Sequence, residues 1–402
     1  MASQAGVKRR YFDNAATSFP KPPAVVQAVA DYLHNIGGSA GRGVYREALQ
    51  SRQILDDCRA ALRQLFNCRP DDEVIFALNG TDALNLAIKG LVRAGAHVVT
   101  TALDHNSVLR PLSALRERVG IEWTAARVDP VSTRLDPDDL AQEIRADTRL
   151  VVINHASNVT GVLQDIEPLA SLCRSRGIPL LLDAAQSAGH VRIDFSGLGI
   201  DLLACPGHKG LLGPLGTGVL IIRTGLAERL QTWREGGTGT ESERPVQPTT
   251  GPDKFEAGSH NAPGIAGLLA GVRWILSRGI ESLRQHELRL CRRMIDGLRQ
   301  IRGLRFFGPH QAEQRVGVFS VRVEGLTPEE LSEALEERFG ILTRSGLHCA
   351  PLAHRTIGTA ASGGTTRFSF GPFLEAKDID AALDALAQLS CLRPQSVRVI
   401  GS

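Results

Sequence analysis

Between residues 73 and 222 short apolar runs alternate with amphipathic stretches, and this alternation restricts the fold more than any other feature of the chain. Residues 74–77 (Val-Ile-Phe-Ala) read as a strand, 81–92 as a helix, 97–100 as a strand and 107–118 as a helix. A strand over 150–154, a helix over 166–176 and strands over 179–183, 201–204 and 218–222 follow. Strands apolar at nearly every position are buried on both faces, so the intervening helices must cover those faces. The expected class is therefore α/β, with a mostly parallel sheet flanked by helices and ligands bound outside the carboxyl ends of the strands.

The flanks differ. An irregular arm ends in Phe19-Pro-Lys-Pro-Pro23, followed by helical periodicity over 24–36 and 45–66. Residues 234–263 are rich in Gly, Pro, Thr, Ser and Glu, which marks a long functional loop or a domain connection. Beyond them lie helices over 264–301, a strand over 316–323, a helix over 328–338, a strand over 366–370 and a helix over 376–389. A chain of 402 residues accommodates this as an arm (1–22) packing with the small domain, a large domain (23–258) and a smaller α+β domain (259–402).

Charge excludes some partners. With 46 basic and 43 acidic residues the net charge is +3, too balanced for nucleic acid or a membrane surface as the main partner. No apolar run is long enough to span a bilayer, and the basic first residues are followed by Tyr11-Phe-Asp-Asn-Ala-Ala-Thr17 instead of an apolar signal region. The 7 cysteines are odd in number and lack CxxC spacing, which suits reduced thiols in a cytoplasmic protein and disfavours a zinc site.

Only Lys8, Lys21, Lys89, Lys209, Lys254 and Lys377 are lysines, so each merits scrutiny. Lys209 ends an apolar strand in Cys205-Pro-Gly-His-Lys-Gly210, where a lysine can have a lowered pKa and form a Schiff base. Alone, a lysine reaching from a strand end to water explains it better. Asp183, after Pro179-Leu-Leu-Leu182, adds a carboxylate at the end of a buried strand, where it needs a charged partner. A helix N-cap is the plain alternative, but the pair fits pyridoxal phosphate, whose pyridinium nitrogen takes an aspartate. Asn79-Gly-Thr-Asp82 lies between a strand and a helix, where free N–H groups can meet a phosphate, although it is no P-loop. His105 could stack on a planar cofactor or cap the next helix. Cys349, in Arg344-Ser-Gly-Leu-His-Cys-Ala-Pro351, occupies a turn where a thiol is accessible, or is one more core filler. Arg367 in a strand pattern needs an anion, either a substrate carboxylate or an internal partner.

Together these motifs resemble the class V aminotransferase group of fold-type I PLP-dependent transferases, and most closely its cysteine desulfurase and selenocysteine lyase branch. The resemblance runs from Tyr11 to Gly371 and rests on Gly-His-Lys-Gly210, Asp183-Ala-Ala-Gln186, Phe255-Glu-Ala-Gly-Ser259 and Gly-Leu-His-Cys-Ala350. It implies that Lys209 carries pyridoxal 5'-phosphate, Asp183 meets the ring nitrogen, Gln186 the phenolic oxygen, and His105 the ring face. Gly80, Thr81, Asp82 and His208 would lie at the phosphate, with Gly258 and Ser259 reaching the phosphate of a second subunit in a homodimer. Asn158 and Arg367 would hold L-cysteine or L-selenocysteine, Asn14 and Arg42 would border the pocket, and Cys349 would carry sulfur as a persulfide for an acceptor protein. Pro206 departs from the pattern, standing where many relatives have a hydroxyl donor. Epimerases, kynureninase-like hydrolases and aminotransferases of this class would share Lys209 and Asp183 without needing Cys349, and an idle relative acting as an interaction protein would need neither.

Overall fold

The structure is a computed structural model and describes residues 8–41 and 43–391. The arm supplies β1 (Arg10–Tyr11), followed by α1 (Pro23–Asp31) and α2 (Arg46–Phe66). The alternating segment folds as β2 (Glu73–Ala77), α3 (Gly80–Leu91), β3 (His97–Thr101), α4 (Asn106–Val119) and β4 (Glu122–Ala126). It continues with α5 (Pro137–Glu143), β5 (Thr148–Asn154), α6 (Ile166–Ser175), β6 (Leu180–Asp183), α7 (Phe195–Leu198), β7 (Leu202–Pro206) and β8 (Gly218–Ile222). The seven strands form one sheet in the order β2-β8-β7-β6-β5-β3-β4. Every neighbouring pair is parallel except the two made by β8, so six strands direct their carboxyl ends to one edge.

Strand periodicity divides the core between the two faces. Val151, Ile153, Leu180, Leu182 and Leu203 join one apolar cluster, and Leu150, Val152, Leu181, Leu202 and Ala204 join the other. All ten are fully buried, which explains why these strands read as continuous apolar runs. The exception is β4, the edge strand Glu-Trp-Thr-Ala-Ala, which is half-exposed and lacks such a run. It is absent from the sequence expectation for that reason.

The helical stretch after residue 262 is two helices, α8 (Ala262–Arg278) and α9 (Ile280–Leu298), separated by Gly279 at φ 79°. α8 lies against α1 and α2 and places Ile265, Leu268, Val272 and Ile275 in the large-domain core. That core thus extends beyond the break expected at residue 258. A separate core begins with α9 and gathers β9 (Leu304–Phe306), β10 (Val318–Val323), α10 (Pro328–Phe339), β11 (Ile341–Leu342) and β12 (Arg344–Gly346). α11 (Pro351–Thr356), β13 (Thr365–Ser369) and α12 (Ala376–Ser390) complete the chain order. The antiparallel sheet β12-β13-β10-β9 is its centre. β1 pairs in parallel with β11, and Phe12 is buried edge-on against Phe368 at 5.6 Å.

Candidate active site

The carboxyl edge of the large sheet opens into a cavity of about 890 Å³ lined by Gly80, Thr81, His105, Asn158, Asp183, Gln186, His208 and Lys209. Asp183 ends β6 and Lys209 follows β7, the adjacent parallel strand, so the fold brings both groups to one wall. Burial pushes the Asp183 carboxyl up, while the Ala185 N–H and the Lys209 charge pull it down. Burial also lowers the Lys209 ammonium to about 8, with Asp183 acting in the opposite sense. A buried carboxylate and a readily deprotonated amine therefore face a common space. The arm fixes the backbone beside them. The His208 carbonyl accepts from Ser18 N–H (3.0 Å), Thr17 Oγ1 (3.2 Å), Ser18 Oγ (3.1 Å) and Lys21 Nζ (2.8 Å).

The opposite wall begins with the N-terminus of α3. Asn79 caps it by accepting the Asp82 N–H at 2.9 Å, and Gly80 and Thr81 occupy the first turn, where N–H groups lack intrahelical acceptors. A Cβ at Gly80 would come within 3.1 Å of Pro206 Cδ, a tight contact, so the helix start packs closely on Pro206. Thr81 Oγ1 pairs with Ser107 Oγ at 2.8 Å, and Ser107 also meets His105 Nδ1 through its Oγ (2.8 Å) and N–H (3.0 Å). His105 thus both caps α4 and lines the cavity. Its ring is held neutral, with the pKa lowered to about 4 by burial and then by Lys209, Arg344 and Arg367. Asp82 is engaged differently from the expectation that it sits at the phosphate. Its Oδ2 accepts Leu78 N–H (2.9 Å) and Arg234 Nη2 (3.1 Å), closing the turn outside the cavity lining.

Three buried polar atoms of cavity-lining residues have no partner within the described chain: His208 Nδ1, Asn154 Oδ1 and Asn158 Oδ1. Buried polar atoms are normally satisfied, so this lining fits a polar ligand. With the acid, the amine, the flat neutral imidazole and the helix N-terminus, it fits pyridoxal phosphate.

Arg367 is buried in β13 and donates to Asp13 Oδ1 (2.7 Å) and to the Asn158 carbonyl (3.2 Å), leaving Nε unpartnered. An internal ion pair is therefore present, and Nε is the one guanidinium nitrogen left without a partner among the described residues. Cys349 is exposed, with Arg344 Nη2 3.7 Å from Sγ. The Cys349 carbonyl accepts the Asn106 N–H at 2.8 Å, placing the thiol-bearing turn beside the cavity wall that holds His105. Among the other cysteines Cys391 is also exposed, at the end of α12.

Gln186 donates to the Ala15 carbonyl at 3.0 Å, which ties it to the arm while it lines the cavity. Asn14 lines a neighbouring cavity of about 700 Å³ that shares Lys209 and Gln186. Its amide bonds to Tyr11 and Ser369 carbonyls and to Phe19 N–H, so it staples the arm to β13. Gly258 and Ser259 border a third depression with Arg234 and His260, which adjoins the Lys209 cavity at Leu78 and Gly216. Arg42 lies outside the described residues. Sequence reasoning missed Ser107, Asn154, Asp13 and Arg344. Asn154 carries the signal that singled out Asp183, a polar residue closing an apolar strand, and Ser107 and Arg344 stand within the motifs of His105 and Cys349.

Among the described residues no group of three or more His, Cys, Asp or Glu side chains could hold a metal ion, and no helix is long and apolar enough to cross a membrane. The chain is 32% identical over 384 residues to a probable cysteine desulfurase of Methanothermobacter thermautotrophicus, covering 94% of each. It is 34% identical to a probable cysteine desulfurase of Aeropyrum pernix, covering 95% of each. The solved apo cysteine desulfurase of Thermococcus onnurineus superposes with a TM-score of 0.86 at 31% identity, over 94% of both chains. An Escherichia coli cysteine desulfurase captured as its S-sulfonic acid superposes at 0.83 with 26% identity, over 94% of both chains. The class-V aminotransferase model matches residues 10–382, nearly the whole described chain with its Lys209 cavity and Cys349 turn, and the protein belongs to that family.

Proposed function

We propose that the protein is a cysteine desulfurase, converting L-cysteine to L-alanine while Cys349 takes the sulfur as a persulfide. The observation that carries this reading is an exposed thiol fastened beside a cavity that holds a lysine–aspartate pair and unpartnered buried polar atoms. Pyridoxal phosphate, when bound, supplies the electron sink that makes the substrate Cα proton acidic and weakens its C–S bond. Lys209 would anchor it, Asp183 would hold its ring nitrogen protonated, and His105 would cover the ring face. Gly80, Thr81 and His208 would cradle the phosphate. Ser107 Oγ, hydrogen-bonded to Thr81 and lining the same cavity as Pro206, would supply a hydroxyl donor that Pro206 lacks.

Within the reaction, the lowered pKa of Lys209 suits it to accept the substrate Cα proton. The unpartnered Asn158 oxygen in the cavity wall would accept from the substrate's amine, and Arg367, whose charge acts on Lys209 and His105, would meet its carboxylate. Cys349 Sγ attacks the substrate sulfur, so an S–S bond forms as the Cβ–S bond breaks. The bonding pair stays on carbon and is protonated to the methyl group of alanine, and the enzyme retains Cys–S–SH. Gly258 and Ser259 would serve the phosphate of a second subunit, and an acceptor protein would remove the sulfur.

Mass spectrometry of the holoenzyme after incubation with L-cysteine tests this reading. One added sulfur on Cys349, with alanine released, is expected. Cys349→Ala should keep the visible absorbance of bound cofactor and lose both persulfide and sulfide. Normal desulfuration by that variant would refute the assignment, and Lys209→Ala should abolish the absorbance itself.

A further inference from the structure

Two consecutive residues with side chains, His348 (φ 48°) and Cys349 (φ 58°), occupy the left-handed region. That conformation is uncommon for residues other than glycine; histidine, like asparagine and aspartate, enters it more readily than most, but two such residues in a row persist only where surrounding contacts hold them. Here three contacts do so. The Cys349 carbonyl accepts the backbone N–H of Asn106 (2.8 Å), and the His348 carbonyl accepts Asn158 Nδ2 (2.7 Å). The buried His348 ring sets Nε2 against Thr365 O (3.1 Å) and Oγ1 (3.2 Å). None of these engages Sγ, which remains available for chemistry.

Both large-domain donors belong to segments that form the cavity. Asn106 directly follows His105 as the first residue of α4, and Asn158 lines the cavity itself. The loop carrying Asn158 is held along its length. The carbonyls of Asn158, Val159, Thr160 and Gly161 accept, in turn, Arg367 Nη1 (3.2 Å), Ser320 Oγ (2.7 Å), Arg315 Nη2 (3.2 Å) and Val316 N–H (2.8 Å). The donor to His348 therefore sits on a fixed base.

We propose that the Asn106 N–H and the Asn158 amide form a two-point latch that seats the Cys349 turn on the large domain. His348 acts as a positioning residue that locks the turn from the small-domain side. Left-handed strain and latch together define where the sulfur can be attacked from. The purpose of the latch rests on the desulfurase reading, but its existence is measurable without it.

The test is hydrogen exchange, read by mass spectrometry on the holoenzyme, of the peptide containing Ala350, whose N–H bonds to Leu347 O at 3.0 Å. Asn106→Pro deletes the backbone donor and keeps α4, because proline is tolerated at a first helical position. His105 at φ −72°, ψ 155° already has the extended conformation required before proline. Exchange should accelerate about tenfold in this variant, the scale of one lost hydrogen bond. Asn106→Ala, which retains the N–H, should keep the slow exchange, and a loss of protection there would overturn the assignment to the backbone donor. His348→Leu should also speed exchange and lower kcat about tenfold while KM for L-cysteine stays within about twofold. His348→Gln, whose amide can still meet Thr365, should restore most of both. Unchanged exchange in Asn106→Pro and His348→Leu would overturn the latch, as would faster exchange with kcat intact. Where Asn106→Pro fails to fold, Asn158→Asp, which removes the Nδ2 donor to the His348 carbonyl, should speed exchange likewise, and unchanged exchange in it would overturn the latch. Faster exchange in the variants, with no persulfide in the unsubstituted enzyme, would leave the latch standing and refute the desulfurase reading instead.

Discussion

Asp13→Asn separates the two roles open to Arg367. The guanidinium is 1% exposed and its one ion-pair partner among the described residues is Asp13, at 2.7 Å and 21% exposed. Removing one member of a fully buried pair costs about 3–5 kcal/mol. Partial exposure of Asp13 reduces that figure, and asparagine keeps an oxygen acceptor, so a loss of ~1–3 kcal/mol is expected. Urea unfolding followed by circular dichroism should show a lower midpoint with an unchanged slope. Turnover should respond in the opposite direction. Without a competing carboxylate on the same guanidinium, KM for L-cysteine should fall. An unchanged unfolding midpoint would show that the ion pair contributes nothing to stability. A higher KM would show that Asp13 orients Arg367 for the substrate instead of competing with it. Either result refutes the reasoning.

Two further outcomes follow from the same geometry. Gly161 has φ 75° and sits so close to the Val318 carbonyl that a Cβ would collide with it, so Gly161→Ala should cost about 1–3 kcal/mol in urea unfolding and displace the Asn158 loop. In cofactor-free protein Lys209 titrates near 8 against an ordinary 10.5, so the unfolded chain holds the extra proton between these values. Its burial penalty is complete below about pH 8 and is relieved as pH rises, so stability should increase from about pH 8 toward pH 10 through this group. Lys209→Met should flatten that rise in urea midpoints, and an identical profile would refute the assignment.

The parts of the fold visible in the sequence are those set by local burial. β5, β6 and β7 are apolar at nearly every position because helices cover both faces, so their place in the sheet could be read directly. Asp183, which closes β6, and Lys209, which follows β7, stood out for the same reason, as polar residues at the ends of such runs. β4 escaped because an edge strand shows no continuous apolar run, and β11 because two residues make no pattern. The Asp13–Arg367 pair spans 354 positions, a separation at which neither spacing nor composition carries information. Asn14 was expected to border the pocket; it lines the cavity that shares Lys209, while its amide is taken up by the Tyr11 and Ser369 carbonyls, partners that local sequence does not reveal. The left-handed turn at Cys349 was also hidden, since the groups that hold it, the Asn106 N–H, the Asn158 amide and Thr365, are distant in sequence.

The pairing of β1 with β11 has a consequence for how the molecule is made. Arg10 and Tyr11 leave the ribosome well before Ile341 and Leu342, the residues they align with 331 positions later in the chain. Until then Thr17, Ser18 and Lys21 can already clasp the His208 carbonyl, while Phe12 has no core to enter. The nascent large domain thus carries an unpaired strand and an uncovered aromatic ring, a period of vulnerability to misassembly that ends only when β11 and the small-domain core arrive.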